Sequence, residues 1–463
     1  MAPCSGRTRA AVTSAIANLT VQYNLNSATI AIPFLLSTRT LTEPPWAAAA
    51  LKGAAFVGAF VGMIAVGLLG DRLGPRTGLL VTVALVLVGV AGAAAAPFQT
   101  RVWEVLIASR FVVGVGVGGI YPMSAAIAAE AGAGEAGDEA GSGAGVGAAG
   151  NAPDEDERAG AVRAASAFFW QSLGSPLPYV LAMLLLTPSG ASAHAQRAAQ
   201  AATLLGLGAV PAAFVFALTL STARRAAPAG AAKGASAAAP EPSFFAVVRE
   251  RPDLLVALVG TAGCWFLYDV SAYGISVFAP EILLQIFGAG ETLMALCWQT
   301  TVVSLIGVPA CALAVVALSR LGGRALMAWG FVANALCFLC LGAACAAFPG
   351  GGSAAGLKFA LFCAASFSLS WGPNVATFVA PVDAFPAAFR GTFHGLSAAS
   401  GKAGAVLGAF LFPVVVAAIG AQTGTAAVIF VQVAINAAGA AVAWRFLPVA
   451  ERVERACGEY TLL

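Results

Sequence analysis

The chain has 463 residues, 59% of them hydrophobic and only 10% charged, with a formal net charge of +3. An ordinary soluble domain is about 25% charged, and the mean hydropathy here is +0.87. That composition excludes a soluble globular enzyme and points to an all-α polytopic membrane protein, with the lipid bilayer as its surroundings and no nucleic-acid partner.

Hydropathy marks twelve apolar runs, at 11–36, 46–69, 77–96, 103–130, 161–187, 199–220, 253–287, 291–319, 324–348, 356–382, 391–419 and 422–447. The first run is long, carries Gln22, Asn24 and Asn26, and has no clean small-residue cleavage site. It reads as a retained spanning helix rather than a signal peptide. Most of the 24 Lys and Arg fall in loops on one side if the N-terminus is cytoplasmic, so both termini are expected there, with the plasma membrane as the expected location.

Two inner loops are long. Residues 131–157 form an acidic Gly/Ala-rich insert containing Glu135, Asp138, Glu139 and Asp154 to Glu157, and residues 221–252 form a basic Ala/Pro-rich linker. Neither composition can bury a core, so both read as flexible. The expected organisation is an N-terminal six-helix half over 1–220, the linker 221–252, a C-terminal half over 253–447 and a tail over 448–463.

The halves repeat each other. Gly119-Ile-Tyr121 and Gly372-Pro-Asn374 each precede an acid, Glu130 and Asp383, by the same interval. Gly160 leads Gln171 as Gly391 leads Lys402. Tyr23-Asn24 matches Tyr268-Asp269, and Gly70-Asp-Arg-Leu-Gly-Pro-Arg76 is echoed by Leu318-Ser-Arg-Leu-Gly-Gly-Arg324. Parallel six-helix repeats with a site at their interface are a transporter architecture.

The seventh run carries the most telling stretch. Trp265, Asp269 and Tyr273 fall at i, i+4 and i+8 and share one helical face. A carboxylate at membrane depth costs about 2.5–3.5 kcal/mol on insertion scales, so Asp269 belongs in a protein interior or a water-filled cavity. It is either a functional group or a buried aspartate satisfied by a neighbouring helix. Asn18-Leu-Thr20 fits a glycosylation sequon but lies within the first run, and His194 and His394 are isolated. Gly114 to Gly119 satisfies G-x-G-x-x-G formally, yet it lies inside an apolar helix and reads as close helix packing. No nucleotide loop, triad or metal cluster is apparent, so no cofactor is expected and the chain does not read as an enzyme.

Several motifs carry a resemblance. Gly62 to Arg76 closely resembles the loop 2–3 signature of the major facilitator superfamily, with Asp71, Arg72 and Arg76 as a charge network able to hold one gating state. Arg110 to Glu130 is similar to the helix-4 signature of the plant and fungal phosphate:proton symporters. Ala167 to Gly174 resembles that family's helix 5, the Trp265 stretch its helix 7, and Trp371 to Pro386 with Arg390 to Gly404 its helices 10 and 11. The resemblance implies a twelve-helix major facilitator fold and a phosphate site formed by Tyr121, Gln171, Trp265, Asp269, Tyr273, Asn374 and Lys402. It also implies gating roles for Asp71, Arg72, Arg76, Glu130, Asp383 and Arg390.

The chemistry of these groups is consistent with a tetrahedral oxyanion, for which phenol, amide, indole and ammonium groups supply donors and a charge. Lys402 either provides that charge or is held permanently by Asp269. Asp269 would repel an anion unless protonated, which would couple proton uptake to phosphate binding at one place. Departures bear on coupling. Val21 and Asn24 stand where the family pattern has acids, and Ile120 replaces the helix-4 aspartate. Asp269 is then the expected proton carrier, or else the coupling ion is another, such as sodium, or there is none. The expected function is proton-coupled import of inorganic phosphate by alternating access. An organophosphate or other small anion as cargo, and a phosphate sensor that does not transport, are the alternatives.

Overall fold

The computed structural model describes residues 6–36, 47–130, 153–186, 193–226, 244–287, 292–349 and 354–448. The described residues are almost entirely helical. The first half contains α1 (Gly6–Leu36), α2 (Ala47–Leu73), α3 (Pro75–Ala95), α4 (Val102–Glu130), α5 (Pro153–Gly174), α6 (Leu177–Leu185), α7 (Ala193–Gly206) and α8 (Ala209–Ala226). After a short α9 (Phe244–Glu250), the second half contains α10 (Pro252–Phe287), α11 (Leu293–Leu321), α12 (Gly323–Ala347), α13 (Ala355–Ser370), α14 (Pro373–Ala384), α15 (Arg390–Ile419) and α16 (Ala421–Phe446).

Ten segments of the described residues are long and apolar enough to cross a membrane. The two remaining expected spans have local reasons for falling short. α1 is diluted by Asn18, Gln22, Asn24 and Asn26, and the tenth run is split at Gly372 into α13 and α14. Gly372 sits at φ 78°, and a Cβ there would lie 2.6 Å from Gly330 Cα, so the break needs glycine.

The repeat is visible in the backbone. The α2–α3 turn passes through Gly74 (φ 82°, ψ 152°), and the α11–α12 turn passes through Gly322 (φ 75°, ψ 161°). These are matching positions of the two sequence-related loops. The end of the bundle that carries both is called the turn end below.

Glycine faces let the helices approach closely. An added Cβ on Gly114 or Gly118 of α4 would stand 2.2 Å from a carbonyl of α2, so the Gly114–Gly119 stretch serves helix packing. α2 meets α15 across the halves in the same manner, where a Cβ on Gly395 would lie 2.3 Å from Met63 O.

Both long loops are shorter than composition suggests. α5 begins at Pro153, so residues 154–157 belong to the backbone of its first turns. In the linker, α9 rests on the corner between α14 and α15, its Phe244 ring 5.1 Å from Phe393 and 6.1 Å from Phe389. The rest of the acidic insert, 131–152, the linker segment 227–243 and the tail from 449 lie outside the described residues.

Candidate substrate site

One cavity of about 210 Å³ lies between the halves, and all seven residues expected at the site line it. α4 contributes Tyr121 and α5 Gln171 from the first half. α10 contributes Trp265, Asp269 and Tyr273, α14 Asn374 and α15 Lys402 from the second. From there the cavity extends away from the turn end, past Ser276 and Leu283 of α10 and Thr300 and Ser304 of α11.

Asp269 and Lys402 are each 1% exposed. Lys402 Nζ donates to Asp269 Oδ2 at 2.8 Å and to the Tyr273 hydroxyl at 3.0 Å. It also lies over the Tyr273 ring at 4.2 Å and the Tyr121 ring at 5.3 Å, so aromatic faces share its charge. An ammonium has three N–H groups; with two engaged, the third is available to a ligand. The ion pair is compatible with both readings of Lys402 left open above.

On the opposite wall, the Tyr121 hydroxyl donates to Gln171 Oε1 at 3.4 Å, and Gln171 Nε2 donates to Asn18 Oδ1 at 2.9 Å. Asn18, read from sequence only as a sequon, is fully buried on α1 and braces the site. It stands one helical turn from Gln22, the residue of α1 that lines the cavity, and that spacing is the signal that could have found it.

Below Lys402, on the turn-end side, aromatic rings close the cavity. Trp265 and Phe378 stand edge-on to His394 at 5.5 and 5.2 Å, and Phe378 lies 4.7 Å from Phe168 of the first half. His394 Nε2 is 3.1 Å from Phe378 O, which ties α15 to α14. His394 is therefore part of the wall beneath the site.

The residues expected to gate are spread over the turn end. Asp71 acts across the halves: its carboxylate accepts from Gly391 N at 3.0 Å, Thr392 N at 2.7 Å and the Thr392 hydroxyl. It therefore caps the N-terminus of α15, a partnership with main chain rather than the charge network expected with Arg72 and Arg76, which are exposed beside it. Arg390 opens α15. Asp383 is exposed near the start of α12, its Oδ2 3.6 Å from where a Gly323 Cβ would be. Glu130 closes α4; its side chain lies outside the described residues. Arg163 of α5, not singled out from sequence, donates to Ala129 O at 2.8 Å and satisfies the C-terminal end of α4.

Arg110 of α4 is 2% exposed, and its Nη1 and Nη2 donate to the carbonyls of Asn24 and Leu25 at 2.6 and 3.3 Å. Arg110 Nε and Asn24 Oδ1 are both buried without a hydrogen-bond partner. The amide at position 24 thus leaves a buried guanidinium held by neutral oxygens.

The sequence matches the sugar (and other) transporter family over residues 13–135 and 249–454. It is 30% identical over 414 residues to the inorganic phosphate transporter PT2 of Toxoplasma gondii, covering 88% of this chain and 67% of that one. To inorganic phosphate transporter 1-6 of Oryza sativa subsp. japonica it is 30% identical over 419 residues, covering 80% and 74% of the two chains. Among solved structures, the proton:xylose symporter XylE bound to 6-bromo-6-deoxy-D-glucose superposes with a TM-score of 0.71 at 19% identity, over 97% of this chain and 98% of that one. The last likeness concerns the fold alone.

Proposed function

The chain belongs to the major facilitator superfamily, in the family of its inorganic phosphate transporter relatives, and on that premise we propose that it imports inorganic phosphate with protons by alternating access. The observation that carries this reading is a buried ammonium, Lys402, ringed by polar groups from both halves in one cavity. Phosphate would bind to Lys402, Trp265, Tyr121, Gln171, Tyr273 and Asn374, where exclusion of water strengthens each charge-assisted hydrogen bond.

Asp269 would compete with the anion for Lys402, since both are negative and Asp269 already holds the ammonium. A proton on Asp269 removes that competition. Phosphate and proton would then load together, and release of one would favour release of the other. Opening of the turn end would require α2 and α15 to separate and Asp71 to leave the amides of Gly391 and Thr392. We place the turn end and both termini in the cytoplasm from the distribution of Lys and Arg, and take the plasma membrane as the membrane that the helices span.

Asn24 favours a second reading for the coupling. An amide stands where the family pattern has an acid, beside a buried Arg110, and a carrier driven by the phosphate gradient alone would need no acid there. Uptake of radiolabelled phosphate into proteoliposomes separates the two. Uptake stimulated by an inward proton gradient and made indifferent to it by Asp269→Asn supports symport. Uptake indifferent to proton and sodium gradients in the unaltered protein supports the uncoupled carrier, and phosphate binding without any flux sinks both.

A further inference from the structure

Asn18 stands behind the cavity wall and makes three side-chain hydrogen bonds. Its Nδ2 donates to Ser14 O at 2.8 Å and to Ser124 Oγ at 3.2 Å, while its Oδ1 accepts from Gln171 Nε2 at 2.9 Å. The direction of this chain is dictated from one end. A main-chain carbonyl can only accept, so the nitrogen of Asn18 must face Ser14 and its oxygen must face Gln171. Gln171 then directs its nitrogen backward and its oxygen forward, toward the Tyr121 hydroxyl at 3.4 Å. That distance is long for an O–H···O bond. Gln171 Oε1, with two lone pairs, retains capacity to accept from a donor inside the cavity.

We propose that Asn18 is a positioning residue that makes Gln171 a hydrogen-bond acceptor, so that the site selects an oxyanion carrying its own O–H over one that carries none. The proposal rests on the phosphate reading above. Phosphate near neutral pH holds at least one proton and sulfate holds none, while the two share a tetrahedral shape and similar charge. Attraction to Lys402 therefore separates them poorly. Opposite sulfate, Gln171 Oε1 would meet another lone pair. Sites built around a ligand's O–H reject the analogue that lacks it much more strongly than sites that judge size.

Rotation of the Gln171 amide does not relieve the conflict. It would turn one oxygen onto another at Asn18, leaving two buried acceptors face to face with no donor between them. Asn18 cannot follow, because the Ser14 carbonyl holds it. The hydroxyls of Tyr121 and Tyr273 can turn to donate or accept, and Lys402 and the Trp265 indole only donate. Gln171, backed by Asn18, is the wall residue whose role is locked.

The test is displacement of radiolabelled phosphate from the purified full-length protein by unlabelled phosphate and by sulfate. The unaltered protein is expected to hold sulfate at least about a hundredfold more weakly than phosphate. Asn18→Leu removes both halves of the brace, and the ratio is expected to fall about tenfold as sulfate gains relative to phosphate. Asn18→Asp, which as the protonated acid still donates to Ser14 O and accepts from Gln171 Nε2, is expected to keep the ratio at a pH low enough to hold that proton. If Asn18→Leu elutes as aggregate, Asn18→Ala takes its place in the same comparison. An unchanged ratio in the apolar variant, or an equal loss in both variants, overturns the proposal. Unaltered protein that binds phosphate and sulfate alike also overturns it while leaving the phosphate reading intact, whereas failure to bind phosphate at all overturns that reading first.

Discussion

Lys402 and Asp269, 133 positions apart in sequence, meet with Nζ 2.8 Å from Oδ2, and each is 1% exposed. The pair largely cancels its own charge, so Lys402 meets an anion with one N–H to give and most of its charge already shared. Any anion that binds must loosen the pair, which makes the pair the natural place for a second ligand, the proton, to act.

Removal of one partner should cost more than removal of both. Lys402→Ala strands a buried carboxylate and is expected to lower stability by about 3–5 kcal/mol, with phosphate binding abolished. The double variant Lys402→Ala with Asp269→Ala should recover most of the stability and none of the binding. Thermal unfolding in detergent and equilibrium phosphate binding on the same samples check both halves of this expectation.

Asp71→Ala removes the cap that the first half places on α15. Loss of a helix cap costs about 1 kcal/mol, which shifts a two-state balance roughly fivefold. The shift should favour the state with the turn end open, read as a greater distance between fluorophores on the turn-end tips of α2 and α15. An unchanged distance distribution would mean that glycine packing alone holds that end.

Gly395→Val introduces a Cβ that would stand 2.3 Å from Met63 O. The backbones cannot approach, so the turn end should fail to shut, with transport lost and helix content retained. Gly356→Ala is the matched control, since a Cβ there meets nothing within 4 Å. Phosphate uptake and circular dichroism on the two variants give the comparison.

Asn24→Asp supplies a carboxylate beside a guanidinium now held by neutral oxygens. The variant is expected to be more stable near neutral pH by about 1–3 kcal/mol, as a charged acceptor improves on a neutral one. If Asn24 is what keeps the carrier independent of protons, Asn24→Asp should also make phosphate uptake steeper with pH. Melting curves and uptake across pH 5 to 8 test the two effects separately.

Spanning helices and the α10 face of the cavity were legible because both signals are local, whereas Tyr121, Gln171, Asn374 and Lys402 were named only through the family resemblance. Hydropathy marks a span without reference to any other, and Trp265, Asp269 and Tyr273 declare a shared face by spacing alone. Asp71 was visible as a charged residue in a turn, but its partners are the amides of Gly391 and Thr392, and main-chain groups leave no trace in residue type. Asn18 was hidden for a related reason. Its importance comes from a partner on α5 and another on α4, and nothing near position 18 announces either. The short α9 escaped notice because seven residues seldom form a helix unaided; it is supported by Phe389 and Phe393, far away in sequence.

The Asp71 cap has a consequence for how the two halves can diverge. Two of its hydrogen bonds end on amide N–H groups, which every residue except proline supplies, so substitution at position 392 leaves most of the contact intact. Position 391 is different: a Cβ there would stand 2.4 Å from Asp71 Oδ1 and push the carboxylate off the helix end. An aspartate in one half and the absence of a side chain in the other are thus a single joint requirement of the contact, and a change at either removes the reason for its counterpart.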